Sequence, residues 1–424
     1  MQETYRALRG TRDILPAEAE RWQFVEHTAR TLFARYGFRE IRTPILESTG
    51  LFARSVGAAT DIVRKEMYAF SVGTESIALR PEATASVARA VVEHALFREI
   101  AVGYPERYYY IGPMFRHERP QKGRQRQFHQ IGGEVLGAAE PVVDAETIQM
   151  VEALLDALGV ERRELLLNSV GDGACRPRFR DELRSWLAAH LDRLCADCRR
   201  RYEENPLRVF DCKEPADREL LQRAPRLTEL LCTACDEHFT QVRRGLEALG
   251  VRHRVEPHLV RGLDYYQRTV FEVVAEGLGA QNALLGGGRY DGLVQELGGP
   301  ELPGFGFSIG LERLVLLLDP RRVPSGGVDA ALIAVGAEAW LAAQALAGRL
   351  RGAGVSCVAP TVERPLAAQL RRADRLRARH AVFVGETELA ERSFTVKDLR
   401  TGAQERVEES ALASRLRRGG SDEH

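Results

Sequence analysis

Lysine is nearly missing from this chain of 424 residues: four occur, Lys65, Lys122, Lys213 and Lys397, and arginine carries almost all the positive charge. Net charge is missing too, since 60 Lys and Arg balance 60 Asp and Glu. The overall field therefore favours no polyionic partner. That balance does not exclude nucleic acid, because local patches do the binding. Arginine-rich stretches run over residues 116–126, 176–208 and 364–379, and any one of them alone reads as a solvated helix face. No run approaches the ~18 apolar residues of a membrane span, which excludes a membrane partner of that kind. The polar start, residues 1–12, has no hydrophobic signal region, so a cytoplasmic setting is expected. Internal repeats, low-complexity tracts, a P-loop and a Rossmann fingerprint are also lacking. Seven cysteines in a chain this long do not make a secreted disulfide framework.

What is present is ample core material, 44% apolar residues, in a length that fits two or three domains. Residues 13–36 read as a helix with Trp22, Val25, Ala29, Leu32 and Phe33 on one stripe, ended by Gly37. A strand leading into an extended turn follows over 38–44, then a short strand over 77–80 and a helix over 82–94 entered through Pro81. Residues 106–115 and 127–136 read as a long hairpin around a charged loop, and 144–159 as a helix ended by Gly159. From 171 to about 254 the chain turns Arg-rich, Cys-containing and helical. Strands return at 269–274 and 304–308, followed by a helix over 310–318. Residues 321–327 read as a linker by their Pro, Ser and Gly content. Beyond it, strands over 330–335, 355–359 and 381–385 alternate with helices over 337–352 and 366–378, the pattern of a small α/β domain with a mostly parallel sheet. Residues 418–424 are expected to be disordered.

Chemistry concentrates in five segments. Phe115-Arg116-His117-Glu118 puts an arginine fork at a strand end, where it can reach phosphate and carboxylate. In the segment 304–313, Gly304-Phe305-Gly306-Phe307-Ser308-Ile309-Gly310-Leu311-Glu312-Arg313, small residues let a helix start close to a sheet, with Arg313 in its first turn. Taken singly, the first is an ordinary surface arginine and the second a packing device. Together they resemble the second and third signature motifs of class II aminoacyl-tRNA synthetases, and residues 38–44 resemble the looser first motif. Arg261-Gly262-Leu263-Asp264-Tyr265-Tyr266 and Gly286-Gly287-Gly288-Arg289-Tyr290-Asp291-Gly292 are similar to two signatures of the histidyl-tRNA synthetase family. Leu79-Arg80-Pro81-Glu82-Ala83-Thr84 is similar to its substrate-binding turn, departing at Ala83 where the family usually carries Gly. The resemblance runs from Arg9-Gly10-Thr11-Arg12-Asp13 to Phe394-Thr395-Val396-Lys397-Asp398, essentially the whole chain.

The resemblance implies an α+β fold: an antiparallel sheet flanked by helices, a helical insertion, and a C-terminal α/β anticodon-binding domain. The corresponding segments are 1–170 and 255–322 for the catalytic core, 171–254 for the insertion and 328–418 for the last domain. It implies ATP-dependent attachment of histidine to its tRNA through an adenylate, with Mg²⁺ accompanying ATP, in a homodimer. Glu82 suits the substrate ammonium, with Ala83 and Thr84 beside it. Gln130 and Glu134, four apart on a strand, point to one face. Glu134 with Tyr266, next to Tyr265, suits both imidazole nitrogens. Arg116 is expected at the α-phosphate and carboxylate, Arg313 and Glu118 around ATP, and Arg261 at the charge of the transition state. The loop 116–126 is a candidate grip on the tRNA acceptor end through phosphate contacts. A synthetase-like regulatory subunit of histidine biosynthesis is the competing reading. Such relatives typically lack one of the segments around Arg261 and Gly286 or the last domain, all kept here.

Cys195-x₂-Cys198 and Cys232-x₂-Cys235 have the spacing of paired knuckles, with Cys212 and His238 near by. Four thiolates at that spacing can hold a structural zinc. The gap of 33 residues between the pairs is longer than the usual zinc-ribbon gap of about 15–20, and small buried cysteines in helices are the alternative.

Overall fold

The computed structural model describes residues 5–57, 60–100, 104–121, 123–279, 282–324, 326–337 and 339–417; the tail expected to be disordered lies outside them. The chain divides into two compact units, 1–323 and 324–424.

The first unit is built on an eight-stranded sheet. Its strands are β1 (Arg39–Glu40), β5 (Glu106–Phe115), β6 (Gln127–Leu136), β7 (Arg163–Ser169), β8 (Arg254–Val255), β9 (Gln267–Ala275), β10 (Ala283–Arg289) and β11 (Gly304–Gly310), while β2 (Leu46–Ser48), β3 (Tyr68–Val72) and β4 (Glu75–Leu79) form a small sheet of their own. The large sheet runs β1-β5-β6-β11-β10-β9-β7-β8, antiparallel from β5 to β7 with one parallel pair at each edge. The expected hairpin is present residue for residue, with Glu106 opposite Leu136 and Phe115 opposite Gln127. The expected strand over 38–44 shrinks to the two residues of β1; Ile41 N–H makes the last bond to β5, and the Thr43 carbonyl is taken by Arg80 instead.

Period-2 alternation sorts side chains onto the two faces. Tyr109, Phe271, Phe305 and Phe307 face one core with Phe33 and Leu154, from helices Pro16–Arg35 and Pro141–Ala157. Tyr108, Tyr110 and Val270 face the other, with Val87 of helix Thr84–Glu93 and with Phe179 and Leu183 of helix Arg176–Ala188. Four α-helices, joined by 3-10 turns, span Arg176–Ala188, Ala196–Glu204, Pro215–Leu221 and Thr233–Ala248. The apolar sides of the first three share the second core with Tyr265, Tyr266 and Tyr290, while the fourth packs Phe239, Val242 and Leu246 into the first core.

The second unit carries a five-stranded sheet, β13-β12-β14-β15-β16, from β12 (Ala330–Ala334), β13 (Cys357–Val358), β14 (His380–Val384), β15 (Ser393–Asp398) and β16 (Gln404–Glu408). The expected mostly parallel sheet needs correcting. Two of its pairs are parallel and two antiparallel: β15 returns antiparallel to β14 after the short helix Glu386–Glu391, and a tight turn at Asp398, Thr401 and Gly402 folds β16 straight back on β15. Helix Ala339–Gly352 packs on it through Ala343, Leu346 and Leu350. Among the described residues no helix is long and apolar enough to cross a membrane.

Candidate active site

The face of the sheet that meets the second core opens into a cleft of about 320 Å³. Glycines make the room. On β11, Phe305, Phe307 and Ile309 fill the opposite core while Gly304, Gly306, Ser308 and Gly310 face the cleft side. A β-carbon at Gly306 would lie 1.8 Å from Glu134 Oε2, and one at Gly286 would lie 2.3 Å from the guanidinium carbon of Arg261. The glycine-rich segments are thus cut to the size of a carboxyl and a guanidinium.

The turn after β4 is held from several sides. Arg80 donates to the carbonyls of Pro113 (3.0 Å) and Thr43 (3.0 Å) and to Thr43 Oγ1 (2.9 Å). Glu82 accepts from the backbone N–H groups of Thr84 (2.8 Å) and Ala85 (3.0 Å), the first exposed donors of helix Thr84–Glu93. Burial raises the pKa of Glu82 and these two N–H groups oppose the rise. Ala83 sits at φ −116°, so the turn needs no glycine there and the methyl is accommodated.

Arginines line the other walls. Arg116 donates through Nε to the Pro81 carbonyl (2.9 Å) and lies over the Phe128 ring at 5.3 Å, which fixes the plane of its fork. Arg261 is paired with Glu272 of β9. Arg313, in the first turn of helix Leu311–Leu317, donates to the Ala283 carbonyl. Desolvation and then Arg124 pull its pKa down, the signature of a cation held where an anion would be welcome. Glu118 is engaged by Arg124 at 2.6 Å.

Glu82, Thr84, Arg116, Glu118, Gln130, Arg261, Tyr265, Tyr266 and Arg313 all line this one cleft. Gln130 Oε1 is buried and, among the described residues, accepts no hydrogen bond. Two of the residues expected in the site do not line the cleft directly. Ala83 is fully buried behind the turn, because its short side chain packs into the second core. Glu134 shares the cleft-side face of β6 with Gln130 but stands one layer back, accepting from Thr84 Oγ1 (2.7 Å) and the Tyr290 hydroxyl. Burial pushes the Glu134 carboxyl up to about 8, against the hydrogen bonds from Tyr290 and Thr84. Burial likewise pushes Tyr266 up to about 12, so its hydroxyl remains a donor at neutral pH.

Sequence reasoning gave no role to Tyr290, Glu272 or Ser308. Tyr290 lies inside a segment already singled out, Glu272 is the one charge in the apolar run of β9, and Ser308 is the partner of Gln130 Nε2 at 3.4 Å. The four cysteines 195, 198, 232 and 235 do not converge. Cys195 and Cys198 gather with Cys212 and Asp217, Cys232 and Cys235 with Cys175 and Asp172. Each pair opens a different helix, and each helix is packed beside a different third cysteine.

A six-stranded antiparallel centre with helices on both faces, and arginines converging on a cleft over its glycine-cleared strands, is the architecture of class II aminoacyl-tRNA synthetases. A family model described as histidyl-tRNA synthetase matches residues 10–314, and one described as an anticodon binding domain matches 329–418. The histidine–tRNA ligase of Anaeromyxobacter dehalogenans is 50% identical over 412 residues, covering 96% of this chain and 98% of that protein. That of Syntrophotalea carbinolica is 48% identical over 401 residues, covering 94% and 95%. The crystal structure of apo S. aureus histidyl-tRNA synthetase superimposes with a TM-score of 0.81 at 34% identity, covering 97% of this chain and all of that one. The chain belongs to the histidyl-tRNA synthetase family.

Proposed function

We propose that the protein activates histidine with ATP and transfers it to the tRNA for histidine. The observation that carries the reading is one cleft lined by the buried Glu82, the unpartnered Gln130 acceptor and three arginines, 116, 261 and 313. A substrate ammonium finds a carboxylate in Glu82. The substrate carboxylate is ionised at neutral pH and needs no base to attack the α-phosphorus as pyrophosphate leaves. What it needs is alignment and positive charge around the phosphorus. Arg116 takes the α-phosphate and carboxylate, Arg313 the adenine side and outer phosphates, and Arg261 the charge that grows in the transition state.

Selection of the side chain falls to Tyr266 and Glu134, which share the imidazole once Glu134 turns from Thr84. A site that hydrogen-bonds a polar substrate rejects analogues lacking that group by about 10⁴–10⁵. Magnesium fits this wall as a companion of the nucleotide. The cleft-lining Glu118 and Glu312 would hold it; both already have partners, Arg124 and His129, and keep spare lone pairs. When bound with ATP it supplies neutralisation of phosphate charge. The loop of the β5–β6 hairpin, through Arg124 and Arg126, grips the acceptor end of the tRNA, and the second unit reads the anticodon, a role supported by its match to an anticodon binding domain. The working form is a homodimer in the cytoplasm.

The test is histidine-dependent exchange of labelled pyrophosphate into ATP, run with and without tRNA. Exchange with histidine alone is expected, and Arg261→Ala should lower it by about 10²–10³-fold while circular dichroism stays unchanged. Near-normal exchange in that variant sinks the role of Arg261. Histidine binding with no exchange at all would instead move the chain to the regulatory class.

A further inference from the structure

The cysteines of the helical module have no part in the chemistry above, yet they are arranged with care. Cys195 immediately precedes helix Ala196–Glu204 and Cys198 lies in its first turn. Cys212 closes the turn Pro206–Asp211, and Asp217 comes from helix Pro215–Leu221. Cys232 and Cys235 repeat the design at the start of helix Thr233–Ala248, joined by Cys175 at the start of helix Arg176–Ala188 and by Asp172. In each cluster the four ligand atoms lie within 4.8 Å of one another.

The distances decide what such clusters can be. All seven cysteines are free thiols. Cys195 Sγ and Cys212 Sγ are 3.8 Å apart, and Cys212 Sγ is 3.4 Å from Asp217 Oδ2. A disulfide needs about 2.0 Å. A tetrahedral zinc with bonds of about 2.3 Å to sulfur and about 2.0 Å to oxygen sets its ligands about 3.8 Å and about 3.5 Å apart. In the second cluster Cys175 Sγ is 3.7 Å from Asp172 Oδ1. Backbone N–H groups already point at sulfur, Cys198 N at Cys195 Sγ (3.4 Å) and Cys232 N at Cys175 Sγ (3.1 Å), as they do toward thiolates that ligate a metal.

The charge pattern asks for a cation. Asp217 is 2% exposed, and among the described residues no Lys, Arg or His forms an ion pair with it. A buried carboxylate without a counter-charge is costly. Asp172 is offset by Arg268, which approaches Oδ2 at 3.4 Å and leaves Oδ1 turned to the cysteines.

We propose that the module binds two zinc ions, one at Cys195, Cys198, Cys212 and Asp217 and one at Asp172, Cys175, Cys232 and Cys235. Three soft thiolates select zinc over the harder cations, and four protein ligands close the site to water, so the ions are structural. Each neighbours an arginine that holds the segment 261–266. Arg208, between Cys198 and Cys212, donates to the Arg261 carbonyl (3.1 Å) and to Asp264 Oδ1 (2.9 Å), and Arg176, next to Cys175, donates to the Tyr266 carbonyl. The metals therefore staple the outer support of the cleft, and the assignment does not depend on which reaction the cleft performs.

The test counts metal in the full chain, produced with zinc supplementation and purified under reducing conditions. About two zinc ions per chain are expected, falling to about one in either Cys212→Ser or Cys175→Ser and to none in the double variant. Cobalt(II) titration of the unmutated, metal-stripped chain gives a readout independent of the variants' folding. It should develop tetrahedral thiolate absorption with an end point at two. Zinc near zero, a single ion that both variants leave in place, or a cobalt end point below two would each overturn the assignment.

Discussion

The catalytic sheet and the helical module bury polar groups side by side in one unit, and they settle the cost in different ways. In the sheet each buried charge has its partner in the chain. Arg289 and Asp144, both without exposed surface, pair across β10 and helix Pro141–Ala157, and Arg289 also donates to the Ala138 carbonyl (2.8 Å) and to Asp291 (3.1 Å). Glu134 has Thr84 and Tyr290. In the module, Asp217 and the thiols around it form a shell of metal donors, and among the described residues no cationic side chain pairs with Asp217. The sheet is finished by its own sequence, whereas the module is finished by an ion. A region whose fully buried charges pair internally keeps its shape under any metal supply.

The sharpest way to break this contrast is to undo the pairing in the sheet. Arg289→Met should cost about 3–5 kcal/mol in urea unfolding, because it strands Asp144 in the core. A loss below 1 kcal/mol would mean that water or a rearranged Asp291 replaces the guanidinium, and that the sheet is less self-sufficient than it looks. The tie between the two regions comes next. Arg208→Ala removes two charge-assisted bonds to the segment carrying Arg261, and should lower kcat/KM for histidine in the exchange assay about tenfold, ~1.4 kcal/mol. Unchanged kinetics would uncouple the module from the cleft.

The smallest expected effect is on pH dependence. Glu134, raised to about 8, holds a proton in the folded chain that it gives up when unfolded near 4.5. Its contribution is therefore complete below about 4.5 and is lost as pH climbs to about 8. His238, lowered to about 4 by burial and then by Arg289, contributes the opposite slope between about 4 and 6.5. Of these two, the falling slope of Glu134 alone extends between 6.5 and 8. Glu134→Gln should flatten the decline of Tm over that window, and an unaltered decline would assign it to other groups.

The two regions were also unequally legible in the sequence. The β5–β6 hairpin and helix Pro16–Arg35 follow from alternation, 3.6-residue periodicity and the glycine punctuation at their ends. Nearly every expected contact residue lines one cleft, since local motifs carry the roles. By contrast β10, with three consecutive glycines, has no strand propensity of its own. It is a strand because β9 and β11 flank it on both sides. β7 reads as a continuous leucine run that fits a helix as well as a strand, and β2 and β3 are short and largely exposed. Cysteine spacing showed the two knuckles, with Cys212 near by, but not which cysteine joins which knuckle. Cys175 and Cys212 are chosen by how helices pack, which no local pattern contains.

The clearances at Gly286 and Gly306 bear on how such a site is to be mutated. Alanine scanning usually subtracts: the change trims a side chain and the loss reports what it did. At these two positions alanine adds an atom 2.3 Å from the Arg261 guanidinium carbon or 1.8 Å from Glu134 Oε2. The mildest substitution in the genetic repertoire becomes an intrusion, and its harm measures space rather than contact. A survey that ranks residues by the size of the side chain removed would score both positions at zero and pass over two of the places that shape the pocket.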